Sequence, residues 1–169
     1  MRNLFVIVSG TPGSGKSTLA RQLAPALGLP LVMKDTVKEA LGDRLPVTSL
    51  EDSQLVGAAT IRVMFALMRD NPGGVFESTW IPALAVDELR EFAPLVEVFC
   101  DVPVDLAIER FAARAPSRHA VHGEHFRGLD RAGFVERAQP IDGGWPLVAV
   151  DTSRPVDVAS LVEQINEAV

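Results

Sequence analysis

The sequence predicts a three-layer α/β fold built around a five-stranded parallel sheet. Two observations indicate this class. Short runs rich in Val, Ile, Leu and Phe alternate along the chain with longer segments of helical periodicity, and the short runs are apolar throughout. Such alternation is typical of a parallel sheet that helices cover on both faces, with right-handed crossovers. Ligands of such sheets bind at the carboxyl ends of the strands.

Turn and cap residues set the expected limits of these elements. Strands are predicted at 4–8, 31–33, 75–79, 95–100 and 147–150. Helices are predicted over 16–27, 36–41, from 49 or 52 to 68, over 83–92, 104–115 and 130–137, and from 153 or 157 onward. Gly28 ends the first helix in this scheme, and Asp35 is the expected N-cap of the second.

Length and composition indicate one globular domain over residues 1–169. Apolar residues make up 47% of the chain and charged residues 22%, which excludes a disordered chain. No apolar run is long enough to span a membrane. The single cysteine, Cys100, excludes an internal disulfide and favours a reducing, cytoplasmic location. A net charge of −6 argues against strong non-specific binding of nucleic acid.

Residues 110–131 form a basic stretch within this acidic chain. They hold five arginines, two acidic residues and all three histidines: Arg110, Arg114, Arg118, Arg127, Arg131, Glu124, Asp130, His119, His122 and His125. The histidines recur every three residues in a predicted loop with no cysteine nearby, which matches no standard zinc site. We therefore expect the stretch to act as a mobile lid over about 114–129.

The turn after the first predicted strand carries a phosphate-binding motif. Gly10-x-x-x-x-Gly15-Lys16-Ser17 matches the P-loop pattern and lies between a buried strand and a helix, as that pattern requires. Its backbone amides and the helix N-terminus are expected to hold phosphate oxygens. The Lys16 ammonium is expected at the β- and γ-phosphates and the Ser17 hydroxyl at Mg²⁺. The residues predicted to bind ATP here are Gly10, Thr11, Pro12, Gly13, Ser14, Gly15, Lys16, Ser17 and Thr18.

Other P-loop classes lack support in the sequence. GTPases need an Asn/Thr-Lys-x-Asp motif after the fourth strand, where Asp101-Val102-Pro103 stands instead. Asp130-Arg131-Ala132-Gly133 follows a predicted loop rather than a strand, so it is interpreted as a helix start. No ABC-type signature is present. A small kinase remains.

The chain resembles the group of small P-loop kinases that includes polynucleotide 5′-kinases, chloramphenicol phosphotransferase, zeta toxins and gluconate kinase. More closely, it resembles a broad bacterial family of predicted AAA-type ATP-binding kinases. The blocks that carry the resemblance are 10–17, 31–39, 75–79, 101–103 with Arg110 and Arg114, and 150–155. The resemblance implies ATP and Mg²⁺ as cofactors and implies adenine packing near 151–155.

Asp35 is the candidate base for the acceptor. It is predicted at the carboxyl end of the second strand, facing the P-loop, where a carboxylate can orient a hydroxyl and take its proton. In the resembling polynucleotide kinases an Asp has this role, and a basic residue three positions on binds acceptor phosphate. That residue is Lys38 here, where those enzymes prefer Arg, which argues against nucleic-acid acceptors. Glu77 is expected at the Mg²⁺ shell or the acceptor, and Trp80 in a wall of the acceptor pocket.

Arginines on the lid side complete the predicted site. Arg110 and Arg114 lie four apart on one helical face. In the resembling kinases such arginines close over the triphosphate and stabilise charge on the transferred phosphoryl group, since the transition state is loose. Arg114 is the first candidate, and Arg118 is expected to contact the acceptor.

The predicted activity is transfer of the ATP γ-phosphate to a hydroxyl of a small molecule. Lys16, Asp35, Arg114 and Arg110 are the expected catalytic residues, and Asp35, Lys38, Glu77, Trp80 and Arg118 the expected acceptor-binding residues. Two alternatives stay open, a polynucleotide 5′-hydroxyl kinase and an ATP-binding sensor that transfers nothing. A toxin-type kinase acting on a nucleotide sugar is a third. The sequence does not identify the acceptor, because acceptor choice depends on pocket shape.

Overall fold

A computed structural model describes residues 3–122 and 130–169 of the chain. Strands and helices alternate through these two ranges. The strands are β1 (Phe5–Ser9), β2 (Leu31–Met33), β3 (Gly74–Glu77), β4 (Leu95–Asp101) and β5 (Leu147–Asp151). The helices are α1 (Lys16–Leu27), α2 (Lys34–Gly42), α3 (Leu50–Asp70), α4 (Pro82–Leu89), α5 (Val104–Arg114), α6 (Arg131–Glu136) and α7 (Val158–Glu167), with short 3-10 turns at Ala115–Ser117 and Ala120–His122.

The five strands form one all-parallel sheet in the order β2-β3-β1-β4-β5. The central strand β1 pairs Val6 with Val75 of β3 on one side and with Val96 of β4 on the other. All five residues of β1 are buried, which explains why its sequence is apolar without alternation. The predicted fold class is confirmed.

Two apolar layers cover the sheet. Leu23 of α1 and Ile165 of α7 belong to a cluster that includes Val6 and Val98 of the sheet. Phe65 of α3 belongs to a second cluster, on the other face of the sheet. That cluster includes Ile7 and Phe76, which alternate along their strands with residues of the first cluster. These two clusters make the fold three layers thick, and the loops at the carboxyl ends of the strands are left to form a site.

Most predicted boundaries agree with the structure to within two residues. α3 begins after Ser49, whose hydroxyl accepts from the Asp52 amide in a capping box, and α7 begins after Asp157. The N-cap assignment of Asp35 is wrong. α2 begins at Lys34, two residues before the predicted start at Thr36, so Met33 is the N-cap and Asp35 lies inside the first turn. α4 ends at Leu89 rather than Phe92, because the chain must turn before Pro94 to enter β4.

Glu97 of β4 connects β1 with the loop between α6 and β5. It is almost completely buried on β4. Its carboxylate accepts hydrogen bonds from the Ser9 hydroxyl at 2.5 Å, from the Ile141 amide at 3.0 Å and from the Trp145 indole at 3.3 Å. The loop between α6 and β5 is thereby attached to the end of β1.

No helix within residues 3–122 and 130–169 has the length and apolar character needed to cross a membrane.

Candidate active site

The loop between β1 and α1 is built around glycines in left-handed backbone conformations. Gly10, Gly13 and Gly15 have φ angles of 132°, 83° and 89°. A Cβ atom on Gly13 would lie 2.1 Å from the carbonyl oxygen of Ala107, so this position also needs glycine for close approach to α5. The loop thus curls tightly before the N-terminus of α1, as a phosphate cradle requires.

Lys16 lies over this loop with little contact with solvent. Its side chain is buried, and its Nζ atom donates a hydrogen bond to the Thr11 carbonyl oxygen at 2.9 Å. Burial lowers the pKa of Lys16, while the negative charges of Glu77 and Asp35 oppose that shift. A cation held in a desolvated loop is poised to bind phosphate oxygens.

Glu77 ends β3 next to the P-loop with one free carboxylate oxygen. The residue is buried, and Oε2 has no hydrogen-bond partner among the described residues. Burial raises the pKa of Glu77, and the charge of Lys16 and a hydrogen bond from the Ser17 side chain oppose the shift. Hard oxygen donors of this kind fit Mg²⁺, because that ion prefers carboxylate and hydroxyl or water oxygens. Ser17 and Glu77 therefore fit a Mg²⁺ ion carried with ATP.

Asp35 is held by the segment that follows α5. Arg118 Nη2 donates to Asp35 Oδ2 at 3.0 Å, and His122 Nδ1 lies 3.9 Å from Asp35 Oδ1. Two further pairs lie along α2, where His122 Nε2 is 2.7 Å from Glu39 Oε1 and His119 Nε2 is 3.1 Å from Asp43 Oδ1. Asp35 and Glu39 are four residues apart on one face of α2, and Asp43, four residues further on, is its C-cap. Residues 118–122, which we term the strap, lie along that face.

Lys38 lies in the same cleft as Lys16 and Asp35, and it also holds neighbouring elements together. Its Nζ atom donates to the Ser53 hydroxyl at 2.9 Å, and that hydroxyl donates to the Val121 carbonyl oxygen at 2.7 Å. These bonds join α2, α3 and the strap. Lys38 is buried, unlike a lysine on a solvated helix face.

The two arginines of α5 have different surroundings. Arg110 does not line the cleft that contains Lys16 and Asp35. Its guanidinium donates to the carbonyl oxygens of Thr152 and Ser153, at 2.9 and 3.1 Å. It lines a neighbouring cavity of about 590 Å³ beside residues 152–156, whereas Arg114 lines both spaces. In this arrangement Arg110 lies beside residues 152–156 rather than in the cleft, and its closing over the transferred phosphate stays a prediction.

Residues 152–156 stand beside the P-loop, where the resemblance implies adenine packing. The Thr152 hydroxyl donates to the Ser14 carbonyl oxygen at 2.6 Å, which fixes this turn to the phosphate loop. Gly13, Gly15 and Thr18 line the same cavity as residues 152–156. The cavity is therefore continuous with the P-loop on the β5 side of the sheet.

Trp80 is a correction to the sequence prediction. Its ring packs 5.9 Å from the ring of Phe65 in the core, and it does not line the cleft. Ile81, the next residue, lines the cleft instead. Trp80 belongs to the same apolar cluster as Phe76, four residues before it.

The cleft brings most of the predicted residues into one space of about 250 Å³. Its lining includes P-loop residues with Lys16, the carboxylates of Asp35 and Glu77, and three further predicted cations. It also includes several residues that the sequence analysis did not predict. The predicted members are Pro12, Gly13, Gly15, Lys16, Ser17, Thr18, Asp35, Lys38, Glu77, Arg114 and Arg118. Lys34, Arg137 and Phe111 are among the missed ones. The predicted lid residues 123–129, with His125 and Arg127, lie outside the described residues.

Comparison with known proteins identifies relatives of this chain. A family model described as an AAA domain matches residues 5–132. An uncharacterized protein of Mycobacterium tuberculosis is 29% identical over 127 residues, which is 66% of this chain and 26% of that protein. This chain therefore spans about a quarter of the length of that curated relative.

Solved structures share the fold over nearly the whole chain. A protein of Chloroflexus aurantiacus assigned as a kinase superimposes with a TM-score of 0.80 at 26% identity, covering 99% of this chain and 100% of that one. A gluconokinase from Sinorhizobium meliloti superimposes with a TM-score of 0.63 at 21% identity, covering 98% of this chain and 91% of that one. The second likeness concerns the fold alone.

Proposed function

This chain belongs to the AAA_33 family of AAA domains, and from that premise we propose that it transfers the γ-phosphate of ATP to a hydroxyl group of a small-molecule acceptor. The observation that carries the proposal is that Lys16, Ser17 and Asp35 line one cleft. A nucleotide-binding lysine and a carboxylate able to orient a hydroxyl are the two parts that phosphoryl transfer needs.

The nucleotide occupies the P-loop side in this proposal. The β- and γ-phosphates lie against the loop amides and Lys16, and the base enters the cavity beside residues 152–156. Ser17 and Glu77 hold the Mg²⁺ ion that accompanies ATP. When bound, that ion neutralises charge on the phosphate oxygens.

The acceptor hydroxyl lies between Asp35 and the γ-phosphate. Its oxygen forms the new bond to γ-phosphorus, while the bond from γ-phosphorus to the oxygen bridging it to the β-phosphate breaks and ADP leaves. The hydroxyl proton moves to Asp35. Arg114, which lines both the cleft and the base cavity, stabilises the charge on the phosphoryl group during transfer.

The direct experiment is transfer of labelled γ-phosphate from ATP, with Mg²⁺, to a panel of small alcohols and to a 5′-hydroxyl oligonucleotide. We expect labelled product from at least one small alcohol. Lys16→Ala should abolish it, whereas Arg21→Ala, an exposed change on the same helix, should not. Product from the oligonucleotide alone would instead indicate a polynucleotide kinase. ATP binding without any labelled product would favour a sensor and contradict the proposal.

A further inference from the structure

The cleft carries more positive charge than one nucleotide needs. Among its lining residues in the described part of the chain, six are Lys or Arg and two are acidic: Lys16, Lys34, Lys38, Arg114, Arg118, Arg137, Asp35 and Glu77. The chain as a whole has a net charge of −6. ATP with one Mg²⁺ carries a net charge of about −2. The excess of cations in this cleft therefore points to a second negatively charged ligand.

The charges that act on Lys16 and on Lys34 divide most of these cations into two groups. The charge of Arg114 acts on Lys16, whereas the charges of Arg118 and Arg137 act on Lys34. Asp35 and Glu77 act on both lysines. Lys16 and Arg114 form the first group, at the P-loop, and Lys34, Arg118 and Arg137 form the second.

The second group lies on the acceptor side of the cleft. Lys34 opens α2 directly after β2, the edge strand, while the base cavity lies beside residues that follow β5, the opposite edge. Adjacent strands are about 4.8 Å apart, so β2 is roughly 10 Å from β1 and its phosphate loop. A ligand held at Lys34 is therefore on the far side of the transferred phosphate from the base.

The Lys34 side chain lies near the carboxylates of Asp35 and Glu77. Its Nζ atom makes no hydrogen bond to any residue of the described ranges, although the side chain is partly buried and lines the cleft. Burial lowers the pKa of Lys34. The charges of Asp35 and Glu77 oppose that shift, and the smaller effects of Arg118 and Arg137 add to it. Three like charges gathered from α2, the strap and the end of α6 repel one another. An anion among them relieves that repulsion.

We propose that the acceptor is an anionic alcohol, whose carboxylate or phosphate group is bound by Lys34, Arg118 and Arg137 while its hydroxyl lies at Asp35. Arginine suits this role because its planar guanidinium can bind two oxygens of a carboxylate or phosphate at once. Arg118 already contacts Asp35 at 3.0 Å, so an anion on this guanidinium is within reach of the proposed base. This inference rests on the proposed transfer to a hydroxyl and specifies the chemical class of the acceptor.

The test compares neutral and anionic alcohols of matched skeleton as acceptors. Glycerol, glycerate and glycerol 3-phosphate form one set, and ribose with ribose 5-phosphate forms another. We expect an anionic member to have a kcat/KM at least about tenfold above that of its neutral partner. Lys34→Gln and Arg137→Gln should raise the KM for that acceptor by about tenfold, with little change in its kcat or in the KM for ATP. Arg21→Gln is the control, since Arg21 is exposed on α1.

Two results would overturn the inference while leaving phosphoryl transfer intact. One is equal kcat/KM for neutral and anionic members of both sets. The other is a rise in the KM for ATP, rather than for the acceptor, in the Lys34 and Arg137 variants, which would assign these cations to the nucleotide.

A binding measurement keeps the inference testable if no alcohol is phosphorylated. Glycerol 3-phosphate is titrated calorimetrically into the chain saturated with a non-hydrolysable ATP analogue. Binding that Lys34→Gln weakens by about tenfold, and that Arg21→Gln does not weaken, supports an anion site even where the proposed transfer fails. Absence of binding, or equal binding by all variants, contradicts it.

Discussion

Arg118 and Asp35, 83 positions apart in sequence, are joined by an ion pair of 3.0 Å. The pair attaches the strap to the first turn of α2 and fixes the orientation of the carboxylate. One face of the Arg118 guanidinium also lies over the Phe111 ring, 5.6 Å from its centroid. A residue of the basic stretch and the candidate base therefore belong to one structural unit.

The separate surroundings of the two α5 arginines predict separate kinetic effects. Arg114→Gln should lower kcat by about 10²–10³-fold, because in the proposed reaction its charge stabilises the transferred phosphoryl group. Arg110→Gln should raise the KM for ATP and leave kcat nearly unchanged, because its guanidinium binds the carbonyl oxygens of Thr152 and Ser153 beside the base cavity. Steady-state kinetics on both variants checks this. An equal fall in kcat would contradict the division of roles.

Two glycines with positive φ should respond differently to an added methyl group. Gly13→Ala should lower the free energy of unfolding by about 2–4 kcal/mol, since its Cβ would meet the Ala107 carbonyl oxygen at 2.1 Å. Gly28→Ala should cost about 1–2 kcal/mol, because no atom lies within 4 Å of its Cβ and only the left-handed backbone is strained. Urea unfolding of both variants measures the difference. Equal losses would show that the contact with α5 does not restrict Gly13.

The buried carboxylate of Glu97 predicts a large loss of stability on amidation. Glu97→Gln should lower the free energy of unfolding by about 2–3 kcal/mol, because an amide has one acceptor oxygen for three donors, on Ser9, Ile141 and Trp145. Glu91→Gln is the matched control, since Glu91 is exposed and its ion pair with Arg69 is solvated. Urea unfolding monitored by tryptophan fluorescence distinguishes them. A Glu97 variant as stable as the control would show that the three contacts are dispensable.

His122 predicts a pH dependence of stability. Burial lowers its pKa from the ordinary 6.5, and the hydrogen bond to Glu39 opposes that shift only in part. The unfolded chain therefore binds the proton more tightly, so the free energy of unfolding should fall as the pH drops below 6.5. Unfolding titrations between about pH 7.5 and 5.5 should show a smaller fall in His122→Gln. An identical fall in both proteins would contradict a buried, neutral His122.

The fold and the phosphate loop were predictable from the sequence because both depend on local pattern. Buried parallel strands are apolar throughout, and the P-loop spacing is set by glycine conformation and by the helix that follows. The placement of Lys16, Asp35 and Glu77 at neighbouring strand ends follows from the same logic, because all carboxyl ends of a parallel sheet lie at one edge.

The surroundings of the acceptor side depend on contacts that no local pattern encodes. α2 starts at Lys34, one residue before Asp35, so Lys34 is the first residue of the helix at the cleft. Lys38 is hydrogen-bonded to Ser53 of α3. Trp80 packs in the core against Phe65 of α3, a contact between segments that are distant in sequence. Arg137 reaches the cleft from the end of α6, more than a hundred residues from Asp35, with no motif around it.

The most direct measurement of the central claim is phosphoryl transfer by Asp35→Asn beside Asp43→Asn, with ATP binding measured for both. Asp35 lies in the first turn of α2 and Asp43 at its C-cap. Each contacts the strap, through Arg118 and His119 respectively, but Asp43 does not line the cleft. Loss of a strap contact is therefore common to both variants. The account predicts that Asp35→Asn lowers transfer by about 10²–10⁴-fold with ATP affinity unchanged, and that Asp43→Asn retains activity. Equal transfer by the two variants would contradict Asp35 as the acceptor base.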